Sequence, residues 1–388
     1  MKRWLFLLAV VGALAGTGWV IRDLCRPYRG FARELIVVIQ PGTRAPDVAH
    51  MLTSRGVLAH RWSFLLLDEF GRVRHHTVKA GEYLFDRPLR PIDIYRKLIR
   101  GDVYLRAVVI PEGSDRFDTA RILQQQLGLS PEDFLRATER NALIDKLNPG
   151  APSLEGYLYP DTYRFPRSVG STAVVAAMLA RFHKVIESEL PPGMAQSPER
   201  LRETITLASL LEKETPDLAE RSLIAGVFAR RLEKKMPLQC DPTVVYADRL
   251  ARRPITKASG PISRSELVDD SPYNTYLHTG LPPGPICSPG LVSIRAALTP
   301  ASGSTLYFVS NNRGGHVFAS TLQEHERNVS LYRREVAALR RTAAGGREEV
   351  DPRVPASHHG AGWSNRRGHG GAGTPKSTSG QKQETAHP

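Results

Sequence analysis

VVIQPGT at residues 37–43 returns as VVIPEGS at residues 108–114. Asp47, Ala49 and Leu52 after the first copy are matched by Asp118, Ala120 and Leu123 after the second, at the same offset. Each copy has a run of β-branched residues, a glycine turn and then apolar residues at helical spacing: Val48, Met51 and Leu52 in one, Ile122, Leu123 and Leu127 in the other. The first stretch predicts a strand, the last an amphipathic helix ending near Gly56 or Gly128. Two strand–turn–helix units of this size predict an α+β fold. Between them, Gly81–Phe85 predicts a strand, and Ile92–Ile99 a short helix closed by Gly101.

Helices dominate after residue 130. Ser130-Pro131, Ser197-Pro198 and Ser288-Pro289 each place a hydroxyl before a proline, the signature of a helix start. Thr305–Val309 and His316–Ala319 flank NNRGG and predict a hairpin, followed by a closing helix over Leu322 to about Arg341. From residue 343 the composition changes: the last 46 residues hold nine of the 32 glycines and four of the 12 histidines. Few large apolar residues remain there to build a core, so a disordered tail is expected. The irregular spacing of the tail's histidines argues against metal binding.

At the other end, WLFLLAVVGALAGTGWVI (4–21) is an uncharged run of 18 residues, roughly 27 Å as a helix. Ala13-Leu14-Ala15 has the form of a signal-peptidase site. The run continues past it, however, and Trp4 and Trp19 sit at its two ends like interfacial anchors, which favours a retained span. The organisation expected is therefore a transmembrane anchor at 1–21, a linker at 22–33, a small α+β module at 34–125, a mixed α/β catalytic domain at 126–342 and the tail at 343–388. With either reading of the N-terminus, the rest of the chain is expected outside the cytoplasm.

The 388 residues carry 53 Lys plus Arg against 39 Asp plus Glu, a net charge of +14. A hydrophobic content of 41% with 24% charged residues excludes collagen, a multi-span membrane protein and a wholly disordered chain. The basic excess suits nucleic acid, an anionic membrane surface or a carboxylate-bearing polymer. Scattered basic residues without interleaved aromatics, and the expected export, argue against nucleic acid. The tail holds six Lys or Arg and four Asp or Glu, so most of the excess belongs to residues 1–342. Cys25, Cys240 and Cys287 form no CxxC pair, so no zinc site is expected and free buried thiols are favoured over a Cys240–Cys287 bridge.

The segment ERLRETITLASLLEKET (199–215) carries the chemistry. On a helical wheel with Leu201 at the origin, Ile205 falls at about 40°, Ala208 at about −20° and Glu212 at about 20°. Glu212 thus lies inside the apolar stripe. Leu207, Leu210 and Leu211 cover much of the remainder, and Glu214 points away from the stripe into solvent. An isolated buried carboxylate tends to take up a proton, which suits a general acid. The competing reading is a structural ion pair with Lys213 or with an arginine elsewhere. Thr215-Pro216 stops the helix a turn later, at the edge of a cleft. Further polar and aromatic residues cluster in LEGYLYPDTY (154–163), QCDPT (239–243) and SPYNTY (271–276), groups suited to sugar rings and hydroxyls and equally to ordinary turns.

Taken together, LEGYLYPDTYRF (154–165), ASLLEKET (208–215), MPLQCDPTVVY (236–246), SPYNTYLHTGLPPGPICSPGLVSIRAAL (271–298) and LYFVSNNRGGHVFASTLQEH (306–325) resemble the endolytic murein transglycosylases of bacterial cell walls. The resemblance spans residues 34–335. It implies a membrane-anchored periplasmic enzyme with a LysM-like module ahead of the catalytic domain, acting on peptidoglycan glycan strands, with peptidoglycan synthases as candidate partners and no cofactor or metal. It places the catalytic glutamate on Glu212 and implies substrate contacts from Glu155, Tyr157, Tyr163, Asp241, Asn274, Tyr276 and His316. Cys240 and Cys287 depart from the family pattern. With one strong carboxylate, the expected chemistry is transglycosylation: Glu212 protonates the oxygen between N-acetylmuramic acid and N-acetylglucosamine, then accepts the C6 hydroxyl proton as a 1,6-anhydro ring closes. The alternatives are a muramidase-type hydrolase, with Asp241 or Glu155 as base, and a non-catalytic wall-binding scaffold.

Overall fold

The computed structural model describes residues 2–139, 149, 151–191, 197–251 and 267–345. By contacts the chain separates into residues 1–336 and 337–388. The elements run α1 (Lys2–Cys25), β1 (Leu35–Ile39), α2 (Ala45–Ser54), α3 (Arg61–Arg72), β2 (Gly81–Phe85), α4 (Pro91–Arg100), β3 (Arg106–Val109), α5 (Arg116–Leu127), α6 (Pro131–Ala137) and β4 (Thr162–Phe165). They continue with α7 (Ser171–Glu189), α8 (Pro198–Glu214), α9 (Arg221–Glu233), α10 (Asp241–Leu250), α11 (Leu291–Leu298), β5 (Tyr307–Ser310), β6 (His316–Ala319) and α12 (Leu322–Gly345).

The α+β character expected from the sequence is present, but the transmembrane part of that expectation is corrected. Among the described residues no helix is long and apolar enough to cross a membrane. The C-terminal end of α1 is engaged with protein: Trp19 stacks on Trp62 of α3 at 5.2 Å, and Asp23 lies 3.9 Å from His60.

Both repeat copies form strand, left-handed glycine turn and helix: β1, Gly42 (φ 81°) and α2, then β3, Gly113 (φ 75°) and α5. Their partners differ. β1 pairs antiparallel with β2, Val37 opposite Tyr83. β3 pairs antiparallel with β4, Val108 opposite Tyr163, far along the chain. The copies accordingly enter different cores. Val37, Val48, Leu52, Phe64, Tyr83, Ile94 and Leu98 close a core within residues 37–98. Val108, Ile110, Leu123 and Leu127 join Tyr157, Phe182, Leu201, Ile205 and Ile294 in a second. A third forms from Leu207, Leu210, Leu211, Phe228, Tyr246 and Tyr273.

α8 lies between the second and third cores. Leu201, Ile205 and Ala208 face one; Leu207, Leu210 and Leu211 face the other. This two-sided burial is why α8 lacks the one-faced pattern of a surface helix. Ser130 caps α6 by accepting a hydrogen bond from the Asp133 N–H at 3.1 Å. Ser288 does not cap α11, whose N-cap is Gly290. Instead the Ser288 backbone bonds to the second repeat's turn: Gly113 N–H donates to its carbonyl and its N–H to the Ser114 carbonyl, both at 2.9 Å. The hairpin is β5–β6, with Ser310 opposite His316. The tail expected from residue 343 begins within α12, and the rest of that expectation lies outside the described residues.

Candidate active site

Four segments meet at the C-terminal end of α8: the turn 111–114, the start of α9, the loop 286–290 and the start of α10. Serine and glycine make these approaches close. Ser209 of α8 accepts the Ile286 N–H at 3.0 Å, holding the 286–290 loop against the helix. Lys213 donates from Nζ to the Gly113 carbonyl at 2.9 Å, holding the 111–114 turn.

Glu212 sits inside this junction with its side chain 5% exposed. Arg221, the first residue of α9, grips it in two bonds: Nη1 donates to Oε2 at 3.0 Å and Nη2 to Oε1 at 2.9 Å. The Gly290 N–H, at the N-terminus of α11, donates to Oε2 at 3.0 Å. The helix dipole adds to this attraction for negative charge. The apolar stripe predicts an unpaired carboxylate; the structure supplies the alternative, an arginine elsewhere in the chain. The reversal between α8 and α9 brings Arg221 back across the helix end. All three of these bonds are donated to Glu212, by Arg221 twice and by Gly290, and Oε1 accepts only one of them, which leaves it a lone pair for a further proton.

Glu214 departs from expectation more sharply. The wheel sends it to solvent, but at the end of α8 it packs against the start of α10. Its carboxyl is hydrogen-bonded to Cys240, and burial, reinforced by the Asp241 charge, pushes it up to about 7. Cys240 and Cys287 are free thiols, buried at 0% exposure, with burial raising both well above the ordinary thiol range.

The residues for which substrate contact is expected fall into two groups. Asp241, exposed at the start of α10, accepts a hydrogen bond from the Tyr276 hydroxyl. It borders a cavity of about 300 Å³ with Asp115, Lys213, Tyr246 and Arg249. Tyr157 is instead 0% exposed in the second core, edge-on to Phe182 at 5.4 Å. Tyr163 hydrogen-bonds the Tyr159 carbonyl at 2.6 Å. Asn274 is 1% exposed and donates to the carbonyls of Leu267 and Asp269. These three hold the walls in place rather than opening onto the cavity. His316 bonds Glu220 twice, its N–H and Nδ1 each at 2.7 Å from a carboxylate oxygen. Glu220 thereby ties the β5–β6 hairpin to the residue next to Arg221.

Glu155 lies beneath the site at 3% exposure. Its Oε2 accepts from the Arg116 N–H and the Tyr246 hydroxyl, each at 3.1 Å, while Oε1 has no partner among the described residues. Burial, then the neighbouring Asp115 charge, pushes its carboxyl up to about 8. Because the folded state holds this proton and the unfolded chain releases it at ordinary carboxylate pH, stability falls as pH rises from about 5 to 8. Thermal melts across that range will show a shallower decline for Glu155→Gln than for the wild type.

Sequence reasoning missed Arg221, Glu220 and the outward carboxyl of Glu112. Arg221 and Glu220 carry no local signal, since their roles come from packing. Glu112 does carry one, as the single acidic residue in the repeat's second turn where the first has Pro41.

The chain matches the YceG-like family over residues 37–331. A protein of Bacillus subtilis (strain 168) called endolytic murein transglycosylase is 33% identical over 310 residues, covering 76% of this chain and 83% of that protein. One of the same name from Streptococcus pneumoniae serotype 2 is 28% identical over 357 residues, covering 84% of this chain and 64% of that protein. A crystal structure of a yceG-like protein from Listeria monocytogenes is 30% identical with a TM-score of 0.51, covering 76% of this chain and 99% of that one. With motifs, fold and relatives in agreement over most of its length, the chain belongs to the YceG-like family.

Proposed function

We propose that the chain is an endolytic murein transglycosylase acting outside the cytoplasm. It cleaves the bond between N-acetylmuramic acid and N-acetylglucosamine within nascent glycan strands and closes the new end as a 1,6-anhydro ring, which terminates elongation. The observation that carries this reading is the Glu212 carboxylate, held by Arg221 and Gly290 at the junction of four segments, in a chain whose relatives bear that name.

Three oriented donors fix the carboxylate without solvent reorganisation, the arrangement that makes an electrostatic site effective. Its free lone pair accepts the C6 hydroxyl proton as the oxygen attacks C1. The negative charge faces the positive charge that develops at C1 when the glycosidic bond breaks. Asp241 and Tyr276, at the mouth of the 300 Å³ cavity, orient a sugar ring. Glu155, Tyr157, Tyr163, Asn274 and His316 hold the walls that carry these groups. Residues 37–98, which close a core of their own, serve as a LysM-like module that keeps a strand close, and peptidoglycan synthases that make such strands are the protein partners.

Digestion of uncrosslinked glycan strands by the full chain, followed by mass spectrometry, tests the proposal. Anhydro ends, lighter by one water than reducing ends, are expected. Reducing ends would make the chain a hydrolase, and strand binding without cleavage would make it a scaffold.

A further inference from the structure

The departing glycosidic oxygen needs a proton, and each of the Glu212 hydrogen bonds to Arg221 and Gly290 is one that the carboxylate accepts. Glu112 is the second carboxyl at this place. It sits in the turn between β3 and α5, exposed, one residue before Gly113. A Cβ built on Gly113 would lie 3.5 Å from Glu212 Cγ, so the turn rests on the Glu212 side chain.

Gly290 stands between the two carboxyls. Its N–H donates to Glu212 at 3.0 Å, while a Cβ in its place would lie 2.0–2.3 Å from the Glu112 carboxyl atoms. The Glu112 carboxyl occupies the place a side chain at 290 would take, so any larger residue there must displace it. Through that residue's bond geometry the two carboxyls are at most about 8 Å apart, close enough to act on one glycosidic bond.

We propose that Glu112 is the general acid of this site and Glu212 its base, a division that rests on the transglycosylase function proposed for the chain. Glu112 gives its proton to the glycosidic oxygen as the C1–O bond breaks. The C6 oxygen bonds to C1 and its proton passes to Glu212. No water is consumed, and return of that proton to Glu112 restores the site. The groups facing Glu112 are Glu212 on α8, Arg221 on α9 and Tyr159 before β4. Partial desolvation, helped by the Glu212 charge and opposed by Arg221, raises the Glu112 carboxyl above the ordinary carboxylate range. The repeat supports the assignment. Its two turns share fold and glycine, and the second differs by carrying this acid into the site.

The test is the rate of anhydro-end formation by the full chain as a function of pH, for the wild type, Glu112→Gln, Glu112→Asp and Gly290→Ala. Loss of a general acid removes about 10²–10⁴-fold in rate. Glu112→Gln should lose at least about 100-fold in kcat with little change in KM. Its residual activity should lack the alkaline fall expected of the wild type, because an amide has no proton to lose. Glu112→Asp should recover part of the rate. Gly290→Ala should lose rate with Glu112 present, because the added methyl displaces the carboxyl. Wild-type turnover with an undiminished Glu112→Gln rate, or with an unaltered alkaline fall in that variant, overturns the assignment alone. A wild type that forms no anhydro ends overturns both the proposed function and this assignment.

Discussion

Glu212→Gln will bind glycan strands and release no measurable anhydro fragments, a loss of at least about 10³-fold in kcat. An amide keeps the volume of the carboxyl and one acceptor oxygen, so the junction of four segments stays filled. It loses the negative charge and presents an N–H where Oε1 or Oε2 stood, against a guanidinium that can only donate. A proton from the C6 hydroxyl then has nowhere to go, and developing charge at C1 meets a dipole in place of an anion. The readout is fragment release by mass spectrometry beside strand binding measured on the same preparation. A Glu212→Gln chain that cleaves at the wild-type rate would remove Glu212 from the mechanism.

Replacing Arg221 strikes stability as well as chemistry. Arg221 and Glu212 are each 5% exposed at the side chain, so deleting one partner strands the other's charge in the interior. Breaking such a buried pair costs about 3–5 kcal/mol. For the Arg221→Ala chain this corresponds to a fall in melting temperature of roughly 10 °C. The pairing of Glu212→Gln with Arg221→Met removes both charges and should recover most of the lost stability while remaining inactive. A double-mutant cycle on melting temperature separates the pair energy from lost packing. A melting temperature for Arg221→Ala within about 2 °C of the wild type would mean that solvent reaches the pair.

How much of the fold and site is legible in the sequence depends on range. The two strand–turn–helix copies can be read because β-branched runs, turn glycines and helical spacing are local, and β1–α2 and β3–α5 follow them. No local pattern tells that one copy pairs with β2 and the other with β4, because strand partners are chosen by cores assembled from distant segments. Glu212 can be located because helical periodicity puts it among Leu201, Ile205 and Ala208. Its partner cannot, since Arg221 arrives through the reversal into α9. Glu214 is misplaced by the wheel for a related reason: a wheel shows one helix alone, and here the start of α10 packs against the helix end. Tyr157 stands in a motif rich in groups suited to sugar, and only packing shows it filling the second core.

Residue order thus suffices for the α+β elements, the glutamate on the apolar stripe and the family to which the motifs belong. These rest on local periodicity and on residue identity, both of which survive without coordinates. Three further facts needed the folded chain. Glu212 is a clamped carboxylate, Glu112 stands across Gly290 from it, and among the described residues no helix is long and apolar enough to cross a membrane. Charge pairing, close approach and burial are set by what lies opposite in space, and the segments opposite come from distant parts of the chain.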